Sequence, residues 1–182
     1  MTDRNDKLTV TIDGVRVETN AGQTILDTAR RHGIYIPTLC AHKDLTPFGA
    51  CRMCVVEVKG MRGYPAACTT PVTEGMEIQT KSPAIEAARL DILKLILSEH
   101  PSSCLICDER VECRAQMGTI RKAGVTTGCR YCPSDGQCEL QTVVERLGVD
   151  ELDFPVTYRG LEVKKSNPFI ERDYNLCILC GR

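Results

Sequence analysis

Tryptophan is absent from this chain, and three Phe and five Tyr are its only aromatic residues among 182. A chain with so few large rings cannot rest on a conventional core alone, so disulfides or bound metal are expected to supply part of its stability. No apolar run approaches the roughly 18 residues of a membrane span. Direct membrane insertion is therefore not expected, and any membrane association would come through a partner. There is no glycine-rich dinucleotide loop and no P-loop, which argues against nicotinamide, flavin or nucleotide binding by the chain itself. A formal charge of −1 with acids and bases interspersed provides no basic field for nucleic acid. Neither a Ser/His/Asp set nor a paired-acid site is present, so no catalytic site of its own is expected. The opening MTDRNDKLTVTIDG lacks the apolar stretch of an export signal. The expectation is a cytoplasmic chain with reduced thiols.

What the chain has in excess is cysteine, twelve in all. In a reducing compartment that excess points to metal ligation ahead of disulfide bonding, and the CxxC spacings argue against a disulfide-rich secreted scaffold. The cysteines fall into groups along a chain whose patterning changes with them. KLTVTIDGVRVETN alternates apolar Leu8, Val10 and Ile12 with polar residues, turns at Asp13-Gly14 and continues through Val15 and Val17, as a hairpin does. TILDTARRHG places Ile25, Leu26 and Ala29 on one helical face and stops at Gly33. CVVEVKG and, more weakly, MEIQT read as strands. Residues 1–80 are thus expected to form a small sheet crossed by a helix, an α+β unit. KSPAIEAARLDILKLILSEHP then reads as a helix capped by Ser82, with Pro83 in its first turn and Ile85, Ala88, Ile92 and Ile96 at helical spacing. It ends near His100-Pro101. ELQTVVERLG is a shorter helix, residues 150–175 are weakly periodic, and ERDY reads as a solvated face.

Cys40, Cys51, Cys54 and Cys68 are separated by ten, two and thirteen residues. A CxxC pair on a tight turn brings two thiolates to one metal centre, and one distant thiolate on each side completes a four-thiolate cage. Small Gly49 and Ala50 before the pair let backbone amides approach cluster sulfurs. The same four donors also suit structural zinc, which makes a zinc-stabilised binding module without redox function the alternative. His32 is expected to be solvated, and His42 to tune or shield the neighbouring centre.

A local repeat follows. Cys104, Cys107, Cys113 and Gln116 recur as Cys129, Cys132, Cys138 and Gln141 at a constant offset of 25, giving CxxCxxxxxCxxQ twice, with Val125 where the first copy has His100. The chain finishes on Cys177-Ile178-Leu179-Cys180-Gly181-Arg182, and two thiolates do not cage a cluster.

The stretches IPTLCAHKDLTPFGACRMCVVEV and PAACTTPV resemble the amino-terminal 2Fe-2S domain of the large iron-sulfur subunit of NADH dehydrogenases and of related NAD(P)-linked hydrogenase and formate dehydrogenase subunits. The resemblance implies a β-grasp ferredoxin-like domain over 1–80, with Cys40, Cys51, Cys54 and Cys68 holding a 2Fe-2S cluster. It implies a small helical domain over 81–149 in which His100, Cys104, Cys107 and Cys113 hold a 4Fe-4S cluster. Residues 150–182 would be a linker and the start of a further ferredoxin-like domain, with Cys177 and Cys180 as an incomplete 4Fe-4S motif and the sequence cut short where a third ligand is expected. The second triad departs from the family pattern: either Cys129, Cys132 and Cys138 serve another centre, or an insertion of roughly 25 residues lets His100 combine with them. A second centre would need an eighth ligand, from Asp108, Glu109, Asp135, water or a partner chain. The expected function is to pass single electrons between a flavoprotein that reacts with NAD(P)H and a downstream catalytic redox subunit, of quinone reductase, hydrogenase or formate dehydrogenase type.

Overall fold

The computed structural model describes residues 7–100, 105, 137–157 and 159–182. Strand β1 (Lys7–Ile12) and strand β2 (Val15–Asn20) pair antiparallel with Val10 opposite Val17 and Ile12 opposite Val15. The two-residue turn between them has Asp13 at φ 50° and Gly14 at φ 82°. Positive φ at both positions matches the twist of the strands, and Asp-Gly is a pair that adopts it at low cost. Strand β3 (Glu57–Val58) and strand β4 (Glu77–Gln79) complete a mixed sheet of order β2-β1-β4-β3, in which β4 runs parallel to β1 and antiparallel to β3.

One face of this sheet is apolar. Val10, Ile12, Val17, Val58 and Ile78 are buried and pack with Ile25, Leu26 and Ala29 of helix α1 (Ile25–Arg31) in one core. Each of these Val, Ile and Leu side chains contributes on the order of 1.5–3 kcal/mol by leaving water. Thr24 caps α1, its hydroxyl accepting from the Asp27 amide at 3.1 Å. Thr19 of β2 and Thr28 of α1, both buried, satisfy each other's hydroxyls at 2.9 Å. At the other end of the helix His32 is exposed, but its ring is also hydrogen-bonded to the Glu18 carbonyl at 2.9 Å, so it joins helix to sheet as well as facing solvent.

Helix α2 (Pro83–Glu99) starts where expected, with the Ser82 hydroxyl accepting from the Ile85 amide at 3.1 Å. Its buried stripe is Ile85, Arg89, Leu93 and Leu97, whereas Ala88, Ile92 and Ile96 are only half-buried. The sequence pattern placed the apolar face slightly off, because it gave no weight to a cation. The fold comprises two compact units, 1–92 with 179–182 and 93–178. In the second unit, helix α3 (Glu139–Leu147) buries Leu140, Val143 and Val144 and ends on Gly148 at φ 66°. A hairpin, β5 (Lys164–Asn167) with β6 (Ile170–Arg172), occupies the weakly periodic stretch, and a short 3-10 turn spans Tyr174–Leu176. Asn175 replaces a strand partner there: its side chain accepts from the Leu161 amide at 2.7 Å and donates to the Leu161 carbonyl at 2.8 Å. ERDY carries an exposed Glu171–Lys165 ion pair, in keeping with a solvated face.

The Asp13 carboxylate accepts from the Thr80 amide at 2.6 Å and from the Thr80 hydroxyl at 2.5 Å, fastening the β1–β2 turn to the end of β4. Charge-assisted bonds of this kind are worth about 1.5–3 kcal/mol. Asp13→Ala is expected to lower the urea unfolding free energy by about 2–3 kcal/mol, whereas Asp13→Asn, which keeps an acceptor and tolerates positive φ, is expected to lose less.

Candidate metal centre

The first four cysteines are drawn together by the backbone around them. Cys40 follows the segment that leaves α1, and Leu39 beside it is fully buried. Residues 49–54 turn tightly. Gly49 has φ 71°, and a Cβ there would touch Thr69 Cγ2 at 3.4 Å, so the loop passes close to the turn that carries Cys68. Arg52 adopts the left-handed conformation at φ 57°, a cost for a residue with a side chain, and its guanidinium donates to the Tyr64 carbonyl at 2.9 Å. The Cys68 turn is anchored by the backbone as well. The Ala67 amide donates to the Cys54 carbonyl at 3.0 Å, the Leu26 amide donates to the Ala67 carbonyl at 2.9 Å, and the Ile25 amide donates to the Thr70 carbonyl at 2.9 Å. The N-terminus of α1 thereby holds the turn that holds the fourth thiol.

Cys40, Cys54 and Cys68 are buried and Cys51 is half-buried; none forms a disulfide. The sulfurs lie near enough to influence one another: Cys40 acts on Cys51, Cys54 and Cys68 act on each other, and Cys40 and Cys51 also act on Cys68. Hydrogen bonding from Cys68 holds Cys54 down at about 6, helped by the Cys68 and Ala67 amides and opposed by burial. Cys68 is pushed far up by that same bond, then by burial and by the nearby Cys54, Cys40 and Cys51 sulfurs. Burial raises Cys51, against the lowering influence of the Met53 and Leu39 amides.

Among the described residues, no three His, Cys, Asp or Glu side chains form a set suited to one metal ion. Structural zinc needs four donors around one point. A binuclear cluster needs two thiolates on each of two irons, four sulfur donors in all. The donor set, entirely sulfur and largely buried, fits a 2Fe-2S group.

The other sequence-predicted ligands are less fully described. His100 is half-buried just after α2, its amide donating to the Leu97 carbonyl at 3.2 Å. Cys104, Cys107, Cys113, Cys129 and Cys132, with Asp108, Glu109 and Asp135, lie outside the described residues. Cys138 is half-buried as the N-cap of α3 and makes no side-chain capping bond. Cys177 is exposed; Cys180 is half-buried, next to Gly181, where a Cβ would come within 2.7 Å of Phe48 Cζ. His42 has its Nδ1 at 3.3 Å from the Asp44 amide and 3.7 Å from the Asp44 carboxylate. Sequence reasoning missed Arg52 and Arg89. The first has no sequence signal, and the second could have been found by asking why a cation lies in phase with Ile85, Leu93 and Leu97.

Comparison with known proteins places this geometry in a class. Residues 5–83 match the 2Fe-2S iron-sulfur cluster binding domain, so this part of the chain belongs to that domain family. Almost the whole chain is homologous to subunits of NADH- and NADPH-linked oxidoreductases and hydrogenases. It is 36% identical over 180 residues to NADP-reducing hydrogenase subunit HndD of Solidesulfovibrio fructosivorans, covering 96% of this chain and 26% of that protein. It is 34% identical over 173 residues to the NADH-ubiquinone oxidoreductase 75 kDa subunit of Reclinomonas americana, covering 95% and 21%. The crystal structure of an NAD+-reducing NiFe-hydrogenase in its H2-reduced state superposes with a TM-score of 0.76 at 29% identity, over 96% of this chain and 63% of that one. The chain thus spans only about a fifth to a quarter of the curated relatives named here. Among the described residues no helix is long and apolar enough to cross a membrane.

The thiol pairing dictates how the metal-free chain responds to pH. Cys54 lies below the ordinary thiol value of 9.0, so its stabilising contribution is complete above pH 9 and is lost as pH falls through about 6. Cys68 lies above 9.0, so its contribution is complete below pH 9 and is lost as pH rises toward its folded value. The reduced, metal-free chain should therefore gain stability from about pH 6 to 9 and lose it at higher pH, as read from urea midpoints. Cys54→Ser should flatten the rise.

Proposed function

We propose that this chain is an electron-transfer module in which Cys40, Cys51, Cys54 and Cys68 would hold a 2Fe-2S cluster. The observation that carries the reading is four neighbouring thiols, three buried and one half-buried, within a matched 2Fe-2S domain. When bound, such a cluster takes up and returns single electrons with little movement of its ligands. The chain's residues supply what that requires. Leu39, Met53 and Val55 exclude water, and the Met53, Leu39, Ala67 and Cys68 amides stabilise negative charge on the sulfurs.

The relatives extend the proposal. Subunits named for NADH-ubiquinone oxidoreductase and for NADP-reducing hydrogenase suit a role between a flavoprotein that reacts with NAD(P)H and a downstream redox subunit. In this reading residues 81–149 form a 4Fe-4S domain with His100, Cys104, Cys107 and Cys113 as ligands. The triad Cys129, Cys132 and Cys138 is an additional or alternative centre, and Cys177 and Cys180 begin a further 4Fe-4S motif within 150–182. His100 at the end of α2 and the constant repeat offset of 25 support this division.

Anaerobically purified chain should be brown, bleach with dithionite and contain acid-labile sulfide. EPR of the reduced form with iron quantitation should show both cluster types, and Cys54→Ser should remove the 2Fe-2S signal while the 4Fe-4S signal persists. Colourless protein without labile sulfide would refute the proposal. For the second triad, the Cys129→Ser/Cys132→Ser double variant should lower the iron count per chain; an unchanged count excludes an iron centre there.

A further inference from the structure

Arg89 is 4% exposed, on the buried stripe of α2. Its Nη2 donates to the Val55 carbonyl at 2.7 Å, one residue beyond Cys54, and its Nε is buried with no hydrogen-bond partner. Among the described residues no carboxylate forms an ion pair with it: Glu86, a turn earlier on α2, is exposed, and the Asp13 carboxylate is committed to Thr80. A guanidinium cannot shed its proton, and a buried charge without a counter-ion costs several kcal/mol. Holding the Val55 carbonyl does not require that expense, since a neutral amide would serve. The buried groups in this part of the fold able to carry compensating negative charge are the cysteine sulfurs, and the Cys54 sulfur is the foremost charge acting to keep Arg89 protonated.

We propose that Arg89 is the buried counter-cation of the Cys40/Cys51/Cys54/Cys68 thiolate shell and raises the reduction potential of the cluster held there. The proposal rests on the 2Fe-2S reading given above. With all four ligands as thiolates the centre is negative, and reduction adds one further negative charge without bringing in a proton. A fixed cation in a poorly screened interior stabilises the reduced form more than the oxidised form. Arg89 is thus a positioning residue twice over, fixing the peptide that follows Cys54 and biasing the electron equilibrium.

The test is an EPR-monitored redox titration of the 2Fe-2S signal in the full chain, comparing wild type with Arg89→Gln and Arg89→Lys. Gln keeps a donor for the Val55 carbonyl and removes the charge; Lys keeps the charge. Arg89→Gln is expected to lower the equilibrium constant for reduction at least tenfold, about 59 mV for one electron, while Arg89→Lys stays within about threefold of wild type. Loss of the cluster in Arg89→Gln, with Arg89→Lys loaded and near the wild-type potential, also supports the proposal. A loaded Arg89→Gln with unchanged potential overturns it, as does an equal fall in both variants, or loss of the cluster in both. Absence of iron and labile sulfide from the wild type itself would instead refute the underlying 2Fe-2S reading.

Discussion

Four sulfurs that all tend toward negative charge are held together in a largely buried place, and most of the first unit's architecture serves to make that tolerable. Two thiolates in low dielectric repel strongly. In the metal-free chain the conflict is relieved by sharing protons: Cys54 gives its proton up easily because Cys68 retains one and donates to it. Iron would replace those protons as the positive partner. Under the proposed reading the four thiols would exchange that shared proton for iron at the same place in the fold.

The remaining negative charge has to be met by the protein, and it does so with dipoles and one cation. The loop from Gly49 to Cys54 accepts a left-handed Arg52, and the Met53 amide helps to lower the Cys51 thiol against the effect of burial. The opposite turn is bonded to the first residues of α1 through the Ala67 and Thr70 carbonyls. α1 is in turn packed on the sheet through Ile25, Leu26 and Ala29. Displacing the Cys54 or Cys68 sulfur would disturb a chain of backbone hydrogen bonds ending in the core. Rigidity of this kind favours electron transfer, because ligands that hardly move contribute little to reorganisation between redox states.

The local elements were legible in the sequence for direct physical reasons. Alternation in β1 and β2, Asp-Gly between them, Thr24 and Ser82 as caps and Gly148 as a stop each act within a few residues, where pattern and structure coincide. The four cysteines were legible because CxxC spacing is local and thiols are rare. What the sequence could not display was long-range. MEIQT reads as a weak strand, yet Ile78 lies between Ile12 and Val58 at the middle of the sheet, a place set by tertiary pairing rather than by propensity. The β5–β6 hairpin is exposed along its whole length, so it has no apolar alternation to reveal it. Asn175 completes a backbone ladder with its side chain, which no periodicity encodes.

Arg89 shows how a helical pattern is misread. A strict apolar count over α2 selects Ile85, Ala88, Ile92 and Ile96 and assigns every charged residue to solvent. The structure instead extends one buried row through Ile85, Arg89, Leu93 and Leu97. A row at i, i+4, i+8 and i+12 drifts slowly around a helix, and a cation within it is a costly insertion that random variation in surface charge does not explain. Such an insertion is informative because it is unfavourable by itself: the compensation has to lie where the side chain is aimed. Here it is aimed at the peptide beside Cys54, so the helix that leaves the sheet also supplies a buried positive charge next to a loop whose own Arg52 is bonded to the Tyr64 carbonyl.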